Sequence, residues 1–200
     1  MAQTGDAGTE VRAVFSQRQH ILDTALSLMS QNGVDGTSMR DLASAAGLNV
    51  ATIYHYFSSK RDLLVAVLEE RGFVGDLQAG QVVYEETSAF EELLATMFES
   101  LLEVEEFVRL MLGEVMRGEE TASAVGSELW GSTRTSLEAW LEEHEPEMSE
   151  RLGATMVARV IVDVMVGLFF EYVSGLLTEE PSKAFRARAQ ELASLFGKLS

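Results

Sequence analysis

The chain has 200 residues, enough for one large domain or two small ones, and its 46% apolar content suffices to build a core. It contains no cysteine, which excludes disulfides, thiolate catalysis and cysteine-ligated metal sites together. The formal charge of −17 speaks against nucleic acid for the chain as a whole, yet residues 1–75 hold six Lys/Arg against eight Asp/Glu, residues 76–200 nine against twenty-four, and residues 36–61 three against one.

With only two prolines, Pro146 and Pro181, and abundant Ala, Leu and Glu, the composition predicts an all-α protein. The first seventeen residues, MAQTGDAGTEVRAVFSQ, lack a basic start and an apolar run, so no signal peptide is expected. Ile21, Leu22, Ala25, Leu26, Leu28 and Met29 recur at helical spacing and predict a first helix over Arg18–Gln31, ended by Asn32-Gly33. Thr37 or Ser38 caps a short second helix with Met39, Leu42, Ala43 and Ala46 inward. Gly47 ends it. Asn49 then caps a third helix running to about Tyr56 with Ile53 inward, and Ser59 with Asp62 opens a fourth through Leu63, Leu64, Val67 and Leu68.

Ala43, Gly47 and Ile53 meet the requirements of a helix-turn-helix. A small residue lets two helices cross, glycine takes the turn, and an aliphatic residue locks the second helix over the first. With Ile53 inward, Val50, Ala51, Thr52, Tyr54 and His55 lie on outer or flanking faces, where hydroxyls and rings meet phosphates and sugars. Phe57 is expected to turn into the core. Lys60 starts the fourth helix, where ammonium and free N–H groups together suit a phosphate. The bland alternative is that the aromatic run simply packs on neighbouring helices.

The stretch TSMRDLASAAGLNVATIYHYFSSKRDLL resembles the DNA-binding domain of the TetR family of bacterial transcriptional regulators, closely over about residues 18–70 and beyond that only in helical texture. The resemblance implies a DNA-facing set of Ser38, Arg40, Asn49, Val50, Ala51, Thr52, Tyr54, His55, Tyr56 and Lys60. In it Arg40 reaches bases or phosphate, Val50, Ala51 and Thr52 form the tip of the recognition helix, and Tyr54 and Lys60 hold the backbone. His55 and Tyr56 stand in the reverse of the family's usual order. Val50 and Ala51 replace a frequent lysine and glycine, which removes a phosphate or guanine contact and could put an apolar touch on a thymine methyl in its place, so the family's base preference does not transfer. Arg12 and Arg18 of the N-terminal arm either add DNA contacts or sit in a solvated tail.

Beyond Asp76 no catalytic constellation is found, so an enzyme is not expected. His20 and His144 are isolated, and the carboxylate runs read as solvated helix faces. No metal or cofactor is implied. Predicted helices span Ser88–Val104, Glu105–Arg117, Glu120–His144, Met148–Leu177 and Ser182–Leu199, with breaks at Glu145-Pro146 and Glu180-Pro181. Gly72, Gly75 and Gly80 mark either a hinge or a frayed helix end. The segment VIVDVMVGLFF carries Asp163 and Gly167 and is too short to span a membrane, so a cytoplasmic protein is expected.

On Met148–Leu177 a polar stripe of Arg159, Asp163, Gly167, Glu171 and Ser174 crosses an otherwise apolar helix, which therefore needs cover on more than one side. The resemblance implies an intersubunit four-helix bundle, assigned to Val160, Val164, Gly167, Leu168, Leu192, Leu195 and Phe196; the alternative is the central strut of a monomer. Phe98, Phe107, Met111, Trp130, Arg134, Met165 and Phe169 are candidates for an apolar effector pocket, and Met97, Met116 and Phe170 belong to the same aromatic and methionine-rich set. Arg109, Arg134 and Asp163 could supply a polar contact there, unless Arg159 and Asp163 satisfy each other.

The resulting expectation is an arm (1–17), a three-helix helix-turn-helix domain (18–75) and a helical effector-binding and dimerisation domain (76–200). It would act as a homodimeric repressor on palindromic double-stranded DNA, released by a small, largely apolar molecule. One rival is a DNA-binding protein whose acidic half recruits a protein partner without any effector; another is a helical enzyme that does not use DNA.

Overall fold

The computed structural model describes residues 7–72 and 89–199, with side chains over 16–71 and 89–197. Ten helices make up these residues: α1 (Ala7–Asn32), α2 (Met39–Ala45), α3 (Val50–Tyr56), α4 (Lys60–Gly72), α5 (Phe90–Glu103), α6 (Glu105–Met116), α7 (Glu120–His144), α8 (Pro146–Leu152), α9 (Ala154–Val173) and α10 (Pro181–Leu199). The helix expected to start at Arg18 starts at Ala7, so the backbone of the supposed arm is helical from that residue. The Arg12 side chain, Gly75 and Gly80 lie outside the described residues.

The first four helices close on Ile21, Leu22, Ala25, Leu42, Ile53, Leu63, Val67 and Leu68, all essentially without solvent exposure. Gly33 (φ 74°) ends α1 in the left-handed region. Thr37, buried, then donates its hydroxyl to the Gly33 carbonyl at 2.9 Å. α1 is fastened to α4 by the Arg18–Glu70 and Arg71–Asp23 ion pairs. The Arg18 guanidinium also lies 5.2 Å from the centroid of the Phe57 ring.

The remaining helices pack in pairs, α10 chiefly on α5 and α9 on α7. α1 and α4 lean on α6 and α7, where Ser27 donates to Glu106 and Arg61 pairs with Glu119. The single helix expected over Met148–Leu177 is two. Gly153 adopts φ 81°, and α8 and α9 meet there at 92°. An apolar pattern that continues across a glycine does not reveal such a bend, because only the packing on either side selects it. No single described helix is long and apolar enough to cross a membrane.

Candidate nucleic-acid interface

Helices α2 and α3 have seven residues each, too few to persist alone, and both are nucleated by a side chain. Ser38 accepts the Asp41 N–H (3.1 Å) while the Asp41 carboxylate accepts the Ser38 N–H (3.0 Å), a complete capping box. The Ser38 hydroxyl and N–H hold the Asp41 carboxyl below the usual carboxylate range. Between the helices, Leu48 N–H bonds Ala43 O (2.8 Å) and Gly47 N–H bonds Ser44 O (3.2 Å), with Gly47 at φ 68°. This is a Schellman closure, and it needs glycine at the left-handed position. Ala43 and Ile53 are both buried in the core where α2 and α3 meet, and the spacing predicted both to be inward.

Of the residues on α3, Ala51, Tyr54 and His55 are exposed, Val50, Thr52 and Tyr56 half-buried, and Ile53 sealed in. Tyr54 is 50% exposed. The packing alternative for the whole aromatic run therefore does not hold: Phe57 is core, Tyr56 is half-buried, and Tyr54 and His55 face out.

Several nominated polar groups have their protons engaged internally. Ser38 donates its hydroxyl to Asp41 Oδ2 (2.6 Å), Thr52 to Asn49 Oδ1 (3.0 Å), and Tyr56 to Gln17 Oε1 (3.0 Å). Asn49 Oδ1 also accepts the Thr52 N–H at 2.8 Å, capping α3. Lys60 Nζ donates to the carbonyls of Val34 (2.7 Å) and Thr37 (3.1 Å), so its ammonium bolts α4 to the α1–α2 turn. A phosphate only accepts, so a hydroxyl whose one proton is given away inside offers it nothing. Arg40 is exposed and has no ion-pair partner among the described residues. The role of Lys60 as a fastener has no local signal, since Val34 and Thr37 are more than twenty residues away.

The second half redistributes the other nominated residues. Phe98, Met111 and Phe169 are fully buried, Phe107 and Met165 nearly so, and Trp130 half-buried. Arg134 is not interior: it is exposed and pairs with Asp163 at 3.3 Å, with Arg159 beside the same carboxylate at 3.8 Å. Met116, at 77% exposure, and Phe170 also face outward. Arg109 bonds Glu105 (2.6 Å), whose second oxygen accepts the Tyr172 hydroxyl (2.7 Å). Burial alone would raise the Glu105 pKa, but the Tyr172 and Arg109 bonds outweigh it and hold the carboxyl low.

Of the residues assigned to the intersubunit surface, Leu168, Leu192 and Phe196 are buried in their own chain, Phe196 edge-on to Phe90 with ring centroids 6.3 Å apart. Val160 and Val164 are half-buried, and Gly167 and Leu195 are exposed. Met156 and Phe170, which were not assigned there, flank the polar stripe of α9 on its outward side. Their positions beside that stripe were the available signal.

A helix-turn-helix with an open second helix, carried on a larger helical body, defines a DNA-binding regulator. Residues 21–67 match the family model for bacterial regulatory proteins of the tetR family. The chain is 28% identical over 165 residues to the HTH-type transcriptional regulator AcrR of Shigella flexneri, covering 80% of this chain and 76% of that protein. Among solved structures, a transcriptional regulator of Aquifex aeolicus VF5 superposes with TM-score 0.70 at 22% identity, over 90% of this chain and 98% of the other. The transcriptional regulator FadR of Bacillus subtilis in complex with stearoyl-CoA gives 0.68 at 18% identity, over 89% and 96%. Residues 21–67 thus carry the module shared by the tetR family of bacterial regulatory proteins, and over most of its length the chain is similar to transcriptional regulators rather than to enzymes.

Proposed function

We propose that the chain is a cytoplasmic repressor that binds palindromic operator DNA as a homodimer and releases it when a small, largely apolar effector occupies the second half. In this reading residues 18–75 act as the DNA-binding unit and residues 76–200 as the effector-binding and dimerisation unit. The observation that carries it is the outward stripe of Ala51, Tyr54 and His55 on a helix braced from behind by Ile53. Arg40, exposed on α2 and without an ion-pair partner among the described residues, supplies a cation, and Lys60 acts by holding the α1–α2 turn in place.

Self-association is supported by apolar groups left in solvent on the last helices. Met156 (46% exposed) and Phe170 (47%) stand on α9 and Leu195 (51%) on α10, where Leu195, Ala187 and Gln190 line a shallow groove. Apolar exposure of this kind marks interaction surfaces. An apolar effector would have to open the aromatic core where Phe98, Phe169, Tyr172 and Phe185 pack edge to edge, with the Glu105–Arg109–Tyr172 cluster beside it. The FadR neighbour, a protein of the same fold, is in complex with stearoyl-CoA.

Release then works by population shift: the effector favours subunit arrangements whose two α3 helices no longer match half-sites about 34–36 Å apart. A near-complete switch needs a preference of about 5 kcal/mol for the DNA-free form. The test is selection of bound fragments from random duplexes. An enriched inverted repeat is expected; an enriched asymmetric site would overturn the dimeric reading, and no enrichment would overturn DNA binding. Arg40→Ala should lower the slope of log affinity against log salt by about 0.9 for each phosphate it neutralises.

A further inference from the structure

The outer face of α3 is defined by what it lacks. Ala51 lies one turn before Tyr54 and His55, all three are exposed, and none carries an ammonium, guanidinium or amide. The flanking residues do not supply one. Asn49 stands at the start of the helix, but its Oδ1 already accepts both the N–H and the hydroxyl of Thr52. Reading adenine at N6 and N7 takes an amide oxygen together with an amide N–H, so Asn49 has lost the acceptor half of that pair. Guanine offers O6 and N7, both acceptors, and calls for a guanidinium or ammonium, which Val50–Tyr56 does not contain. The middle of the helix is left with a methyl, a phenol and one imidazole.

Resting on the DNA-binding reading above, we propose that Ala51 is a specificity-determining residue, packing its methyl group on the C5-methyl of a thymine in each half-site, with the Tyr54 ring covering the side of that contact. Thymine is the base that presents an apolar group in the major groove. The alanine, with no longer side chain to hold the helix off, lets α3 approach the base edge closely. Contact between methyl groups needs no proton donor, which suits a surface whose neighbouring hydroxyls have already given theirs away. His55 adds one hydrogen bond to a purine N7, which separates purine from pyrimidine but not guanine from adenine. The half-site is thus read at its centre mainly by apolar contact.

The test uses the full-length chain and its selected operator, in which each thymine is replaced in turn by uracil, deleting the C5-methyl alone. Removing the contacted methyl should weaken binding about fourfold at one position in each half-site, and replacement outside the half-sites should have no effect. In Ala51→Gly that penalty should vanish; in Tyr54→Phe, which keeps the ring, it should persist. An operator bound equally well with every thymine replaced would overturn the inference and leave DNA binding intact. A penalty that survives unchanged in Ala51→Gly would overturn the role of Ala51. If no duplex is enriched at all, the DNA-binding reading fails and this inference with it.

Discussion

Helices α2 and α3 each begin on a side chain that binds a first-turn amide, Ser38 and Asn49, whereas α5, α6 and α9, with 14, 12 and 20 residues, begin without any such bond. A seven-residue helix cannot offset its nucleation cost, so the chain supplies caps, a Schellman turn and a bolt from α4. A helix of three turns or more is held by its buried face and tolerates a bare terminus. α2 and α3 are consequently written in specific residue types; α8, also of seven residues, starts on Pro146 without a side-chain bond, and α7, of 25, is capped by Glu119, so the contrast belongs to α2 and α3 and not to every short helix.

Core truncation should separate the two regions most strongly. Ile53→Ala is expected to cost about 2–5 kcal/mol and Phe169→Ala about 3–5 kcal/mol. Because α2 and α3 touch chiefly each other and α1, Ile53→Ala should shift the far-ultraviolet circular dichroism transition more than the fluorescence transition of Trp130 and Trp140, which both lie in α7. Coincident shifts would mean that the two regions unfold as one and would break the contrast.

Lys60→Met comes next. It removes two charge-assisted hydrogen bonds to the α1–α2 turn and should lower stability by about 1.5–3 kcal/mol. A melting transition that stays put while the salt dependence of DNA binding flattens would return Lys60 to phosphate contact. A pair of glycines tests the contrast at a smaller scale. Gly47→Ala places a Cβ at φ 68° and should cost about 1–2 kcal/mol. Gly167→Ala meets nothing within 4 Å in its own chain and should stabilise α9 by up to about 1 kcal/mol. If α9 forms the intersubunit surface, the same substitution weakens self-association in sedimentation; an undisturbed dimer would remove Gly167 from that surface.

The smallest effect concerns the seam between α1 and α4. The bond from Arg18 holds the Glu70 carboxyl below its ordinary range. Its contribution is therefore complete at neutral pH and is lost as pH falls through the depressed pKa. Wild type and Glu70→Gln should differ slightly in Tm near neutrality and converge in acid, and a gap that widens on acidification would contradict the assignment.

Within residues 21–67 the caps, the turn and the buried face were legible because local chemistry shaped them, as at Asn49, Gly47 and Ile53; the long-range bonds of Lys60 and Tyr56 were not. The second half was legible as helices but not as surfaces. Leu168 and Phe196 were expected outside and lie inside, Phe170 and Met116 the reverse, and Arg134 left the interior for Asp163. Helical periodicity tells which residues share a face; it does not say whether that face meets α7, α5 or solvent.

Bonds within a few positions along the chain set the number and kind of helices in the first half, the bounds of α2 and α3, and the residue that braces α3; they did not place the start of α1, expected at Arg18 and found at Ala7. Long-range packing set where the protons of Lys60 and Tyr56 go and which way the long helices turn. Lys60 reaches Val34, Tyr56 reaches Gln17, and Gly153 takes a right-angled bend because distant partners stand where a local pattern cannot place them.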